Sequence, residues 1–295
     1  MTSLRFPLLL AAIAMRAGAQ DVAVHLELGR AAYAVHNADA AVKEFEKAVS
    51  LDDKNAECHR WLARAIGLQS ETASFVRIPG LAKRMKTEYE RAVALDSTNL
   101  AAHQGLVEVY LGPAMFGGSI VKAHEQADAI AKLNAMRGDM ARATIARHEK
   151  DTATVEREWR NAAAEFPDSL VAANGYAELL ASMHRNADAI TVIDKYTARR
   201  PNDVRGVFAL GRITAIAGVQ LDRGEQALRT VLAVAGIGTD STLPPAATAH
   251  YWLGEILRQR GATAEARQEY QRALDLNPHL DAAKKALRDV KPTHT

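Results

Sequence analysis

Apolar residues recur along this chain at helical spacing, and the pattern itself recurs. The stretch from Ala247 to Leu280 reads ATAHYWLGEILRQRGATAEARQEYQRALDLNPHL. Leu253 and Leu257 stand four apart, on one face of a helix. Gly261 ends that helix, where a turn needs a residue free of Cβ strain. Ala266, Tyr270, Ala273 and Leu276 mark a second helix, and Pro278 stops it. The small residues let two helices approach closely, and the tyrosine fills the groove between them.

The same arrangement appears along most of the chain. Leu28-Gly29, Ala41, Phe45 and Ala48 define a unit over 22–55, with Asp53 where a proline would end it. Leu62-Ala63, Ile66, Tyr89 and Ala92 define 56–98. Leu106, Tyr110, Ala123, Ala127 and Ile130 define 99–135. Ala143, Trp159, Ala162 and Pro167 define 136–169, the unit with the most polar first helix. Tyr176-Ala177, Leu180, Ala189, Ile193 and Pro201 define 170–203, and Leu210-Gly211, Gly218, Ala227 and Val231 define 204–235. The turn-rich run Gly236 to Pro245 follows as a flexible break, then the unit 247–280. Residues 281–290 read as a polar-faced capping helix, and 291–295 as a disordered tail. The second unit is about ten residues longer than the ~34-residue period and the third about four. The excess lies at Leu68 to Leu81 and at Gly112 to Gly118, each between first and second helices. Ser119 is placed to cap the helix that follows.

This spacing resembles the tetratricopeptide repeat, with His250 where that family usually has tryptophan. The resemblance covers most of 22–290. It implies an all-α, right-handed superhelix: an α-solenoid of about seven helix–turn–helix repeats over 20–290, with a C-terminal cap and a concave groove lined by the first helices.

Residues 1–19 belong to a different pattern. Arg5 precedes an apolar run, Phe6 to Met15, too short for a stable membrane anchor. Ala17-Gly18-Ala19 offers a cleavage site before Gln20. This resembles a bacterial secretory signal peptide; the bland alternative, a buried N-terminal helix, is weaker because the run has no polar face. The expected location is therefore periplasmic or secreted. The whole chain has 37 basic and 35 acidic residues. Removing Arg5 and Arg16 makes the mature chain formally neutral, so neither nucleic acid nor an anionic membrane surface is indicated as partner. The lone Cys58 cannot form an internal disulfide, and a buried apolar role fits it.

No residue pattern supports catalysis. His25, His59, His103 and His250 recur three residues before the leucine of a first helix, so their spacing reports the repeat and not a metal site. There is no HExxH, CxxC or Gly-x-Ser-x-Gly motif. Gly112 to Ser119 lacks the Gly-Lys-Ser/Thr ending of a phosphate loop, and the carboxylates are scattered over polar faces. The expectation is a binding scaffold, not an enzyme, with no catalytic residue, metal or cofactor. Its partner is a protein or peptide held in the groove. The rival is an accessory subunit of an envelope transport or assembly system that holds an apolar small ligand.

The family resemblance assigns the groove-lining positions. They are Arg30, Arg60, Arg64, Gln104, Glu108, Asn174, Glu178, Arg212, Tyr251 and Glu255, from the four-apart pairs that begin at Leu26, Arg60, Gln104, Met140, Asn174, Phe208 and Tyr251. Tyr33 and Arg147 lie one turn further on. Arg60 with Arg64 is suited to grip a carboxylate; the alternative is a solvated charged face. Phe75, Ile78, Met115 and Phe116, on the two insertions, are expected on one edge of the stack, where they would form an apolar ledge or cover the core edge.

Overall fold

A computed structural model describes residues 5–235 and 245–290, and of residues 5–19 and 235 the backbone alone. The expected tail, most of the turn-rich break, and the side chains of the expected leader lie outside the described residues. Among the described residues there are fifteen α-helices, one 3-10 turn and no strand. The helices are α1 (Arg5–Ala34), α2 (Ala38–Leu51), α3 (Ala56–Glu71), α4 (Ile78–Leu95), α5 (Leu100–Tyr110), α6 (Ile120–Leu133), α7 (Ala135–His148), α8 (Thr152–Glu165), α9 (Leu170–Ser182), α10 (Asn186–Arg199), α11 (Val204–Ala217), α12 (Leu221–Ala235), α13 (Ala246–Gln259), α14 (Thr263–Leu276) and α15 (Asp281–Asp289). The chain divides into two compact units, Met1–Val155 and Glu156–Thr295. Each is an α-solenoid of helix–turn–helix repeats in which neighbours joined by short turns pack together.

Short polar residues start the first helices. The side chains of Asn55, Asn99, Asn134, Ser169 and Asp203 each accept a hydrogen bond from a free N–H of the helix that follows, meeting a donor the helix itself cannot satisfy. The turn between helices needs one left-handed residue. Gly261 takes it at φ 79°, and His36, Lys150 and His184 take the equivalent place at φ 58°, 62° and 58°. A side chain there costs energy that glycine avoids.

The core is the seam between helices. Phe45 and Tyr270 are fully buried at equivalent places on second helices. Tyr270 lies against Gly254, where an added Cβ would stand 2.5 Å from its ring. Leu253 is 1% exposed, whereas Leu28, at the corresponding place on α1, is 51% exposed. In unit 1, α1 packs on α2 and α3, leaving one face outside the stack.

The recurring histidines clasp four of the first helices, α1, α3, α5 and α13, to the second helices that follow them. Nδ1 of His25, His59, His103 and His250 lies 2.7, 2.6, 2.7 and 2.6 Å from Glu44, Glu88, Gln126 and Glu269. The clasped residues are 19 apart in the first and last repeats, but 29 and 23 apart in the second and third. The excess of ten and four measures the insertions. The first insertion is mostly helix, not loop: α3 runs on to Glu71, and Ile78 and Pro79 open α4. A proline is tolerated in a first turn, where its missing N–H has no partner to lose. The second insertion folds as a 3-10 turn, Ala114–Phe116. It is closed by Ser119 N–H on the Tyr110 carbonyl at 2.8 Å. Ser119 caps α6 by accepting from Lys122 N–H at 3.4 Å.

Candidate interaction site on the first helices

In unit 1 the centre of the site is Trp61 on α3. Phe45 stacks on its ring at 5.6 Å, and Tyr33 of α1 meets it edge-on at 5.7 Å. The guanidinium groups of Arg60, Arg30 and Arg64 lie 4.5, 5.2 and 5.3 Å from the ring centre. Three cations gathered around one indole form cation–π contacts. The indole Nε1 is buried without a partner.

The arginines differ in what they have left to offer. Glu57 precedes Arg60 by one helical turn. Arg60 donates through Nε and Nη2 to its two oxygens, at 2.9 and 2.6 Å. That bidentate hydrogen bond holds the Glu57 carboxyl below its usual range against the opposing effect of burial, with help from the Arg60 charge, Asn99 and the Arg30 charge. Arg60 therefore already grips a carboxylate of its own helix. Arg64 is exposed and donates only its Nε, to the Tyr33 hydroxyl at 3.0 Å, so its Nη donors remain for another molecule.

A cavity of about 560 Å³ opens beside these residues, between α3, α4 and α5. Its lining brings together Tyr33, Arg60, Arg64, Gln104 and Glu108, with Glu71, Met85 and Tyr89. Gln104 and Glu108 also border a hollow of about 210 Å³ with Met140 and Thr144. Glu108 makes no ion pair among the described residues. The cavity thus sets an unpaired cation and an unpaired anion in one polar recess.

Tyr89 supplies the least expected feature. It is 7% exposed, lines the cavity, and its hydroxyl has no hydrogen-bond partner among the described residues. Burial pushes its pKa up to about 12; the Glu108 charge adds to this and the charges of Arg64 and Arg60 oppose it. Tyr270, its equivalent in the last repeat, donates to Glu255 Oε1 at 2.7 Å. Arg64 stands where Glu255 stands, so the acceptor has been replaced by a donor and the Tyr89 hydroxyl is left facing the cavity. Comparing the two repeats residue by residue shows this swap. Trp61 has a sequence signal too, an aromatic flanked by arginines one position before and three after.

The other groove positions are placed apart from this cavity or are already engaged. Arg30 reaches Glu27 at 2.7 Å, and Arg147 is exposed on α7. In unit 2, Glu178 pairs with Arg212 and Asn174 is half-buried. Tyr251 packs edge-on to Trp252 at 4.9 Å. Glu255 holds both Tyr270 and Arg258.

On the insertions, Phe75 is 78% and Met115 82% exposed, while Ile78 and Phe116 are half-buried. Val76, next to Phe75 in the chain, is 86% exposed. The 3-10 turn packs beside α4, with left-handed Gly117 against Lys86. Cys58 is fully buried. Burial first, then the charges of Asp52 and Glu57, push its thiol up to about 11, so it stays protonated and unreactive. No group of three His, Cys, Asp or Glu among the described residues is placed to hold a metal.

Stacked helix pairs with clasped histidines and a recess on the first helices define an α-helical repeat protein. The tetratricopeptide repeat family model matches residues 214–281, from the end of α11 to the start of α15. A solved tetratricopeptide repeat protein from Parabacteroides merdae is 14% identical, with a TM-score of 0.53, over 91% of this chain and 98% of that one. Yeast Tom70 is also 14% identical with a TM-score of 0.53, over 85% of this chain and 59% of Tom70. At these identities the likeness is one of fold. No curated protein matches the chain. Residues 214–281 thus carry the tetratricopeptide repeat signature, and most of the rest of the chain shares the fold of such proteins.

Proposed function

We propose that this protein is an exported interaction scaffold that holds a peptide or helix of a partner protein against its first helices, seated on the cavity between α3 and α5. The observation that carries the reading is the convergence of Tyr33, Arg64, Gln104 and Glu108 on one recess, with free donors on Arg64 and an unmet hydroxyl on Tyr89. A partner segment with one acidic and one basic or amide group would satisfy Arg64 and Glu108 together, and its backbone would meet Tyr89 and Gln104. Binding at equilibrium needs no further chemistry.

Export rests on the sequence of residues 1–19; among the described residues no helix is long and apolar enough to cross a membrane. N-terminal sequencing of protein recovered from periplasm should begin at Gln20, whereas recovery of folded protein from the cytoplasm with Met1 intact removes the export reading. For the groove, a partner purified on the mature protein from envelope extract should bind Arg64→Glu at least tenfold more weakly than wild type. Equal affinity for both would remove the proposed seat.

A further inference from the structure

Unit 2 contains a second cavity, of about 550 Å³, that the first-helix site does not use. It lies between the second helices α8 and α10, over α9. Trp159 of α8 sets the spacing on one side, its ring lying where a Cβ on Gly175 would come within 2.0 Å. One turn further along α8 the residues shrink to Ala163 and Ala164, and α10 faces them with Ala198. These side chains are too small to close the gap. Buried Ala173 and Tyr196 form the floor. The Tyr196 hydroxyl donates to Asp203 at 2.6 Å, so it offers the cavity an apolar ring.

The rim has one sign of charge. Arg160, Lys195 and Arg199 line the cavity, and no carboxylate does. Arg199 donates to Asp168 at 3.0 Å, but Asp168 is shared with Arg200 at 3.4 Å. Arg160 and Lys195 are exposed and make no ion pair among the described residues. The half-buried Tyr176 adds a hydroxyl without a partner there. An apolar recess of this volume is of the size that holds small molecules, and unpaired cations at its mouth favour an anionic head group.

We propose that this cavity binds a small amphiphilic carboxylate, its chain or ring among the alanines and its carboxylate on Arg160 and Lys195, within reach of Tyr176. The site lies wholly in unit 2 and does not depend on the partner reading above. The test is calorimetric titration of the full mature chain with dodecanoate below its micelle concentration, beside dodecylammonium as the cationic counterpart. Dodecanoate should bind one to one, and dodecylammonium at least tenfold more weakly. Arg160→Gln with Lys195→Gln, both exposed, should weaken dodecanoate at least tenfold with the circular dichroism unchanged. Ala164→Trp, also at an exposed position, should fill the mouth and abolish binding. Arg64→Glu, in the other unit, should leave it unchanged. The proposal is overturned if dodecanoate does not bind, if dodecylammonium binds as tightly, if the charge variant binds like wild type, or if Arg64→Glu removes binding.

Discussion

Tyr89 and Tyr270 occupy the same place in two repeats and differ in one bond, so removing one oxygen from each isolates that bond. Tyr270→Phe deletes the donor to Glu255, a 2.7 Å contact with a carboxylate. Hydrogen bonds to charged groups contribute about 1.5–3 kcal/mol. Glu255 keeps Arg258 as a donor at 2.7 Å and is half-buried, so the lower end, about 1.5 kcal/mol, applies. Tyr89→Phe deletes a hydroxyl with no protein partner. Its removal breaks no protein hydrogen bond and should leave stability within about 0.5 kcal/mol of wild type. Hydrogen exchange by mass spectrometry reads each repeat separately. Amides of α13 and α14 should exchange about tenfold faster in Tyr270→Phe, the rate equivalent of roughly 1.4 kcal/mol, while α3 and α4 should be unchanged in Tyr89→Phe. Tyr270→Ala, which also empties a fully buried site, should cost about 3–5 kcal/mol and loosen the C-terminal repeat first, because neighbouring repeats carry most of the stability. Equal losses in the two phenylalanine variants, or uniform loosening of all repeats in Tyr270→Ala, would refute the reasoning.

Other consequences follow from turns and charge. His184→Gly should raise thermal stability by roughly 0.5–1 kcal/mol, because His184 is exposed and sits at φ 58°, where glycine is unstrained. Gly261→Ala at φ 79° should lose about 1 kcal/mol by the same argument; calorimetry showing the reverse order would contradict it. Hydrogen bonding from Arg205, opposed by burial and helped by the Tyr196 hydroxyl, lowers the Asp203 pKa to about 2. A depressed carboxyl contributes stability above its unfolded value of about 3.9 and loses it as pH falls through the folded value. Asp203→Asn keeps the cap of α11 but removes the charge. It should therefore melt below wild type at pH 7, with the gap closing between about pH 4 and pH 2. A gap constant over that window would show that the charge is not involved.

The fold was readable because the repeat is written in spacing. Small and aromatic residues at fixed offsets can only be buried by a neighbouring pair, and the spacing from each clasping histidine to its Glu or Gln partner even records the insertion lengths. Repeat spacing sets the excess of Leu68 to Leu81 between the two helices and does not show that Ile78 and Pro79 open α4, because proline reads as a break although in a first turn it costs the helix nothing. The candidate site was only half readable. Repeat positions picked out Tyr33, Arg60, Arg64, Gln104 and Glu108, which line one cavity, but not the state of their donors. The engagement of Arg60 by Glu57 follows from a one-turn spacing and was open to inference. The orphaned hydroxyl of Tyr89 follows from the exchange of Glu255 for Arg64 between repeats. The apolar cavity of unit 2 left no motif, since it arises from alanines that fail to fill a gap.

The central claim, that a partner protein sits on the α3–α5 recess, is tested most directly by site-specific photocrosslinking in the native envelope. A benzophenone amino acid at Gln104, which lines the cavity, is compared with the same probe at Arg91, exposed on α4. The account predicts a discrete crosslinked species from position 104 that is absent from position 91 and lost when Arg64→Glu is added. Equal crosslinking from both positions, or a product from 104 that survives Arg64→Glu, would contradict it.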